Sequence, residues 1–116
     1  MTLRVLVCGG RDFDDYELMK ECLGRLPADC HICHGDAPGA DKMAAGIARS
    51  FGMQVSAYPA RWSEQGKRAG PIRNQHMLDD FKPKHVLAFP TEKSIGTWDM
   101  VRRASRAGVK VEVIER

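Results

Sequence analysis

The sequence predicts an α/β fold, a parallel sheet of about five strands with helices on both faces. Short apolar runs rich in branched residues alternate with longer stretches of three- and four-residue apolar spacing, giving β-α-β-α-β-α-β-α-β over 116 residues. Parallel neighbours need crossover connections, so strict alternation places helices over the sheet. Polar, glycine-bearing segments fall where strands pass into helices, the edge at which such sheets hold ligands.

Leu3 to Cys8 (Leu-Arg-Val-Leu-Val-Cys) is a compact run ending at Gly9-Gly10, which predicts a buried strand and a tight turn. Asp14 to Leu26 carries Tyr16, Leu18, Met19, Cys22, Leu23 and Leu26 at mostly helical spacing, with Asp14 or Asp15 as cap and Pro27 as stop. Cys30 to His34 is a second strand. Gly39 to Phe51 is an alanine-rich helix with Met43, Ala44, Ile47 and Phe51 on one face, closed by Gly52. Val55 to Tyr58 is a third strand, ended by Pro59. Ala60 to Pro71 reads as a polar, glycine-punctuated loop, of the length that functional or mobile loops have. Ile72 to Phe81 is a helix with Met77, Leu78 and Phe81 inward, Lys84 to Phe89 a strand, Thr97 to Ala107 a helix, and Val109 to Ile114 the last strand.

With 43% hydrophobic residues the chain is expected to form one domain over residues 1–116, so a site is built from the loops of this fold or shared between subunits. The net charge of +3 is a mild excess that favours anionic ligands only weakly. Its placement says more: Arg61, Lys67, Arg68 and Arg73 gather in one region and read as a ligand site, whereas Arg102, Arg103 and Arg106 read as a solvated helix face. No segment approaches the roughly 20 apolar residues of a membrane span, and a cytoplasmic protein is expected. Cys8, Cys22, Cys30 and Cys33 read as reduced thiols.

The most informative stretch is His34-Gly35-Asp36-Ala37-Pro38-Gly39-Ala40-Asp41, where a strand turns into a helix. Outward backbone N–H groups, close-approach glycines and two carboxylates make it a candidate site. Asp36 and Asp41 either charge and cap the helix start or face a ligand. Two acids there compete with a phosphate, so the loop suits a ribose hydroxyl, a base edge or a water, and the Gly96-Thr97 turn suits the phosphate. Gly9-Gly10 is a tight turn or a ligand loop, and Arg11 beside it supplies an anion clamp. Trp62, between Arg61 and Lys67, either stacks on a nucleobase or packs beneath its loop, while Trp98 is expected to pack its helix onto the sheet. Cys30-x-x-Cys33 with His31 and His34 does not make a zinc site, because residues three apart on a strand point to opposite faces. His76 and His85 are expected to be structural.

Gly9-Gly10-Arg11-Asp12-Phe13, His34-Gly35-Asp36-Ala37-x-Gly39-Ala40-Asp41, Pro59-Ala60-Arg61-Trp62 with Gly66-Lys67, Ala69-Gly70-Pro71-Ile72-Arg73-Asn74-Gln75-x-Met77 and Gly96-Thr97-x-Asp99-Met100 together resemble the YspA branch of the YpsA-related SLOG family. This is a Rossmann-like group akin to the LOG phosphoribohydrolases and the DNA-processing protein DprA. The resemblance covers nearly the whole chain and implies a Rossmann-like, doubly wound sheet and a nucleotide-like ligand. LOG enzymes cleave the N-glycosidic bond of nucleoside 5′-monophosphates. Their arginine-bearing helix is similar to Arg73-Asn74-x-x-Met77, which implies a ligand or catalytic role for Arg73. Their Gly-Gly-x-Gly-Thr loop is matched in part by Lys93-Ser94-Ile95-Gly96-Thr97, without the leading glycine pair, and Asp99 is the nearest acid to their glutamate, one residue early. That departure weighs against hydrolysis more than against binding.

The first expectation is a domain that binds, and possesses the form of a sensor for, a nucleotide or nucleotide derivative. Its ligand residues are Gly9, Gly10, Arg11, Gly35, Asp36, Gly39, Asp41, Arg61, Trp62, Lys67, Arg73, Asn74, Gly96 and Thr97. The alternative is a LOG-like phosphoribohydrolase in which Arg11, Arg73, Gly96 and Thr97 grip the phosphate and Asp99 or Asp36 steadies an oxocarbenium-like transition state. The third is a DprA-like nucleic-acid-binding module, weakened by the modest charge and the want of a clear aromatic platform. No metal or other cofactor is expected. A homodimer is, with Lys93, Ser94 and Arg102 able to act across subunits.

Overall fold

A computed structural model of the chain describes residues 2–115. Strands β1 (Arg4–Gly9), β2 (His31–His34), β3 (Gln54–Ala57), β4 (His85–Phe89) and β5 (Lys110–Val113) form one sheet in the order β3-β2-β1-β4-β5, every pairing parallel. Between them run α1 (Tyr16–Gly24), α2 (Ala40–Ser50), the short α3 (Trp62–Gln65), α4 (Ala69–Phe81) and α5 (Ile95–Arg106). This is the α/β, Rossmann-like doubly wound sheet that the alternation predicts.

The two-residue period of the strands divides the core in two. Val5, Val7, Ile32, Leu87 and Phe89 pack against Met19 and Leu23 of α1 and Ala44 and Ile47 of α2. Leu6, Cys8, Cys33, Val86 and Ala88 pack against Met77, Leu78 and Phe81 of α4 and Met100 and Ala104 of α5. Cys30 belongs to the first cluster and Cys33 to the second, so the two thiols lie on opposite faces as their spacing requires. The four cysteines are free thiols. Asp15 caps α1, accepting the Leu18 N–H at 3.1 Å.

Two expectations are corrected. The stretch from 60 to 71 is not all loop: α3 and a 3-10 turn over Gly66–Arg68 lead directly into α4, which starts at Ala69. Gly70-Pro71 reads as a break, yet it occupies the first turn of α4, where a missing N–H has no helical acceptor to lose. Trp98 does not pack onto the sheet either. It is exposed on α5, whose inward residues are Thr97, Met100 and Ala104. None of the described helices is long and apolar enough to cross a membrane.

Strand order reverses between β1 and β4, and glycines bring the neighbouring segments together there. A Cβ on Gly9 would lie 2.7 Å from the Phe89 carbonyl oxygen, and one on Gly39 2.5 Å from that of Arg11. Gly39 also has φ of +78°, a conformation that only glycine adopts without strain. Gly39→Ala is therefore expected to destabilise the fold by at least about 1–3 kcal/mol, read as a lowered urea midpoint with an unchanged m-value. Gly46→Ala, inside α2 where a Cβ meets nothing within 4 Å, is the control and is expected to raise stability by up to about 1 kcal/mol.

Candidate functional site

At the β1/β4 reversal the loops leaving the two strands diverge to opposite faces, the position where doubly wound sheets take ligands. A cleft of about 680 Å³ opens there, within the range of small-molecule sites. Gly9 and Arg11 form its β1 side, Asp41 its α2 side, Trp62 and Lys67 its outer wall, and Arg73, Asn74 and Met77 its α4 wall. Residues 92–97, Asp99 and Arg102 complete it from the β4–α5 side.

Two helix N-termini approach this cleft, and they differ. In the loop that leads into α2 the donors are already taken. Asp41, only 5% exposed, accepts the N–H groups of Gly35 at 2.9 Å and Ala37 at 3.3 Å through one oxygen, Oδ2. The Asp36 N–H donates to His34 Nδ1 at 2.9 Å and the Ala40 N–H to the Gly10 carbonyl at 3.2 Å. The carboxylate of Asp41 thus holds the loop amides an incoming anion would need and places an acid on the first turn of α2. Burial pushes its pKa up to about 6, against the lowering influence of its hydrogen bonds and of Arg73.

At α5 the donors are open. Its N-cap, Ser94, is buried but does not cap: its Oγ accepts the Thr91 N–H at 2.6 Å. The first backbone bond runs from the Trp98 N–H to the Ser94 carbonyl at 3.0 Å, which leaves the N–H groups of Ile95, Gly96 and Thr97 without helical acceptors. Thr97 is 4% exposed and lines the cleft, and its hydroxyl makes no hydrogen bond among the described residues. Lys93 and Arg102 stand on the same wall.

Arg73 is part clasp and part wall. Its Nη1 donates to the Gly35 carbonyl and, at 3.3 Å, to that of Tyr58, tying α4 to the ends of β2 and β3. Its Nε donates to Asn74 Oδ1 at 3.0 Å, and its Nη2 has no partner among the described residues. Burial lowers the Arg73 pKa; Asp41 opposes that, and the like charge of Arg11 adds to it. Arg11 lies over the Trp62 ring, its Cζ 5.5 Å from the centroid. That ring is 48% exposed, and its far edge rests over Gly70, where a Cβ would come within 3.3 Å.

Asp99 is held differently from Asp41. Its Oδ2 accepts Asn74 Nδ2 at 2.9 Å and Arg103 Nε at 2.8 Å, and Asn74 Nδ2 also reaches the Gly96 carbonyl at 3.2 Å. Burial alone would raise its pKa, but the bonds from Arg103 and Asn74 hold Asp99 below the ordinary carboxylate value. One cleft therefore carries two carboxylates shifted in opposite directions.

Of the residues marked in the sequence, Gly9, Arg11, Asp41, Trp62, Lys67, Arg73, Asn74, Gly96, Thr97 and Asp99 meet on the cleft wall. Gly10, Gly35 and Gly39 lie behind it as close-contact positions, against Thr91, against Arg73 with Asp41, and against the Gly10 and Arg11 carbonyls respectively. Asp36 is not on the wall. Its φ of 59° accompanies a side chain that pairs with Lys42 at 3.1 Å. Arg61 is outside it too, 3.7 Å from Glu64. Glu92, Ile95, Met77 and Cys8 also line the cleft without having been singled out. Glu92 and Ile95 belong to the loop after β4 that the sheet-edge rule marks as a whole.

The raised Asp41 pKa fixes a pH signature. The folded protein holds this proton more tightly than the unfolded chain, so the associated stability is full below pH 3.8 and is lost as pH rises through about 6. Asp41→Asn keeps an acceptor for the two amides, and the stability of wild type relative to this variant is expected to fall between pH 4 and 7 in urea titrations. Asp99, shifted down, contributes in the opposite sense, losing its stabilisation only below the ordinary carboxylate value.

Comparisons with known proteins agree with this architecture. The chain is 33% identical to the Gene 61 protein of Mycobacterium phage D29 over 93% of both sequences. It superposes on DNA processing protein A (DprA) from Streptococcus pneumoniae with a TM-score of 0.79 at 19% identity, covering 97% of this chain and 50% of that one. The chain thus spans about half the length of DprA, and the likeness is one of fold. The profile of the YspA, cpYpsA-related SLOG family matches residues 3–64, more than half of the sequence. With the phage relative matched nearly end to end, the chain belongs to the YspA, cpYpsA-related SLOG family.

Proposed function

We propose that the cleft binds a nucleotide or nucleotide derivative, with its phosphate on the first turn of α5. The observation that carries this is the donor set at α5: three first-turn amides and the Thr97 hydroxyl stand open there, while on the α2 side Asp41 already takes the loop amides of Gly35 and Ala37 and puts a carboxylate on the first turn. Arg11, Lys67, Arg73, Lys93 and Arg102 face Asp41, Glu92 and Asp99 across the same space, and Arg103 already pairs with Asp99, so the balance is cationic. The half-exposed Trp62 offers a face for a base, and the Asp41 side suits the sugar or base edge. The family membership supports this reading, which includes a sensing role. The name of the DprA relative speaks of DNA, and a nucleic-acid ligand would share the phosphate contacts.

A panel of nucleoside mono- and diphosphates is expected to raise the melting temperature, since a ligand at about a hundred times its Kd adds about 2.7 kcal/mol. Thr97→Val and Trp62→Ala should each reduce that shift while leaving the unliganded melting temperature within a few degrees. Absence of any shift across the panel would overturn the proposal.

The oppositely shifted carboxylates favour one second reading, cleavage of a nucleotide N-glycosidic bond, because such pairs divide acid and base roles. In it Asp41 donates the proton to the departing base and the ionised Asp99 steadies the sugar cation until water adds to the anomeric carbon, its released proton restoring Asp41. Asp36, turned to Lys42, takes no part. Chromatography after incubation with nucleoside 5′-monophosphates decides it: release of free base that Asp99→Asn abolishes supports hydrolysis, and intact nucleotide confines the cleft to binding.

A further inference from the structure

At the α2 end of the cleft Asp41 and Arg73 stand on either side of Gly35. Gly35 separates Asp41 from Arg73: a Cβ there would lie 3.0 Å from Asp41 Oδ2 and in contact with the Arg73 guanidinium. Both side chains line the cleft. Each is half satisfied by backbone on the protein side, Asp41 through Oδ2 and Arg73 through Nη1, while Asp41 Oδ1 and Arg73 Nη2 make no hydrogen bond among the described residues. The remaining groups around the carboxylate are Asp36 from the loop and the thiols Cys8 of β1 and Cys33 of β2. Burial pushes both thiols far up, so they stay neutral. Arg73 is therefore the one cation that keeps Asp41 ionised among the groups acting on it.

We infer that Asp41 is the proton-accepting partner of Arg73 in anion capture, so that a phosphate seated on the first turn of α5 and reaching Arg73 is bound together with one proton on Asp41. The inference rests on the reading that the cleft takes a phosphate. An anion on Nη2 offsets the guanidinium charge that favours the carboxylate and adds a like charge beside it, and both changes drive protonation. The proton comes from solvent and goes to Oδ1, which then donates to the sugar side of the ligand, and the acid no longer repels the phosphate. Since unliganded Asp41 titrates at about 6, this happens in a range where small pH changes matter. Asp41 is on this account a positioning residue that sets the charge state of the Arg73 corner, and its presence restricts the site to ligands able to tolerate a hydrogen-bond donor there.

Phosphate monoesters titrate near pH 6 themselves, so the test uses adenosine 5′-monophosphate alongside its phosphate methyl ester, which carries one charge throughout. Calorimetry of the methyl ester in two buffers of different ionisation enthalpy is expected to show close to one proton taken up per ligand at pH 7, and about fivefold tighter binding at pH 6 than at pH 7. Asp41→Asn is expected to bind it with no proton uptake and a flat pH profile. Wild-type binding of the ester without proton uptake overturns the inference and leaves the nucleotide reading standing. Failure of both ligands to bind at any pH from 5 to 8 removes that reading and this one with it. The wild-type measurement decides alone if the variant does not fold.

Discussion

The buried carboxylate of Asp41 is the constraint around which the ligand edge of this sheet is arranged. An ionised carboxyl taken out of water costs several kcal/mol unless it is paired and hydrogen-bonded. Here the Gly35 and Ala37 amides and the nearby Arg73 charge offset part of that cost, and burial still keeps the pKa above the ordinary carboxylate value. Gly35 can serve only because it has no side chain, since the space its Cβ would fill belongs to Arg73. Arg73 in turn reaches the ends of β2 and β3 from α4, so this arginine ties two strands to that helix beside the acid.

A second set of contacts runs across the strand-order reversal. Thr91 Oγ1 donates to Asp12 Oδ1, the Thr91 N–H donates to Ser94 Oγ, and Gly10 leaves room for the Thr91 side chain. These bonds join the loop after β1 to the loop after β4. They also occupy the hydroxyl that would otherwise cap α5, a contribution of about 1 kcal/mol in helices that have it. Forgone capping and an open first turn are two sides of the same arrangement. Local stability is lower at the helix end, and the N–H groups there face the cleft.

Much of this was legible in the chain. Short branched runs and apolar spacing of three and four marked the strands and the long helices, because the central strands β1 and β4 of the sheet are buried on both faces and every helix has one wet side. The start of α4 was hidden, since Gly70-Pro71 looks like a break wherever it falls outside a first helical turn. Trp98 was misjudged for a similar reason: large apolar residues pack inward by default, whereas on α5 the inward positions belong to Thr97, Met100 and Ala104. The motif from His34 to Asp41 announced a site but not which aspartate faces it. That choice depends on Arg73, thirty-eight positions beyond Gly35, and on the positive φ of Asp36 that accompanies its pairing with Lys42. Sequence spacing marks donors and acids; only the fold says which donors are already taken.

The account stands or falls on α5 rather than α2 receiving the anion. Amide NMR of uniformly labelled protein titrated with adenosine 5′-monophosphate tests that directly. The predicted result is saturable shifts centred on the N–H groups of Ile95, Gly96 and Thr97, with the Gly35 and Ala37 amides moving only through their bond to Asp41. Shifts centred on Gly35, Ala37 and Ala40 with the α5 amides unmoved would contradict it.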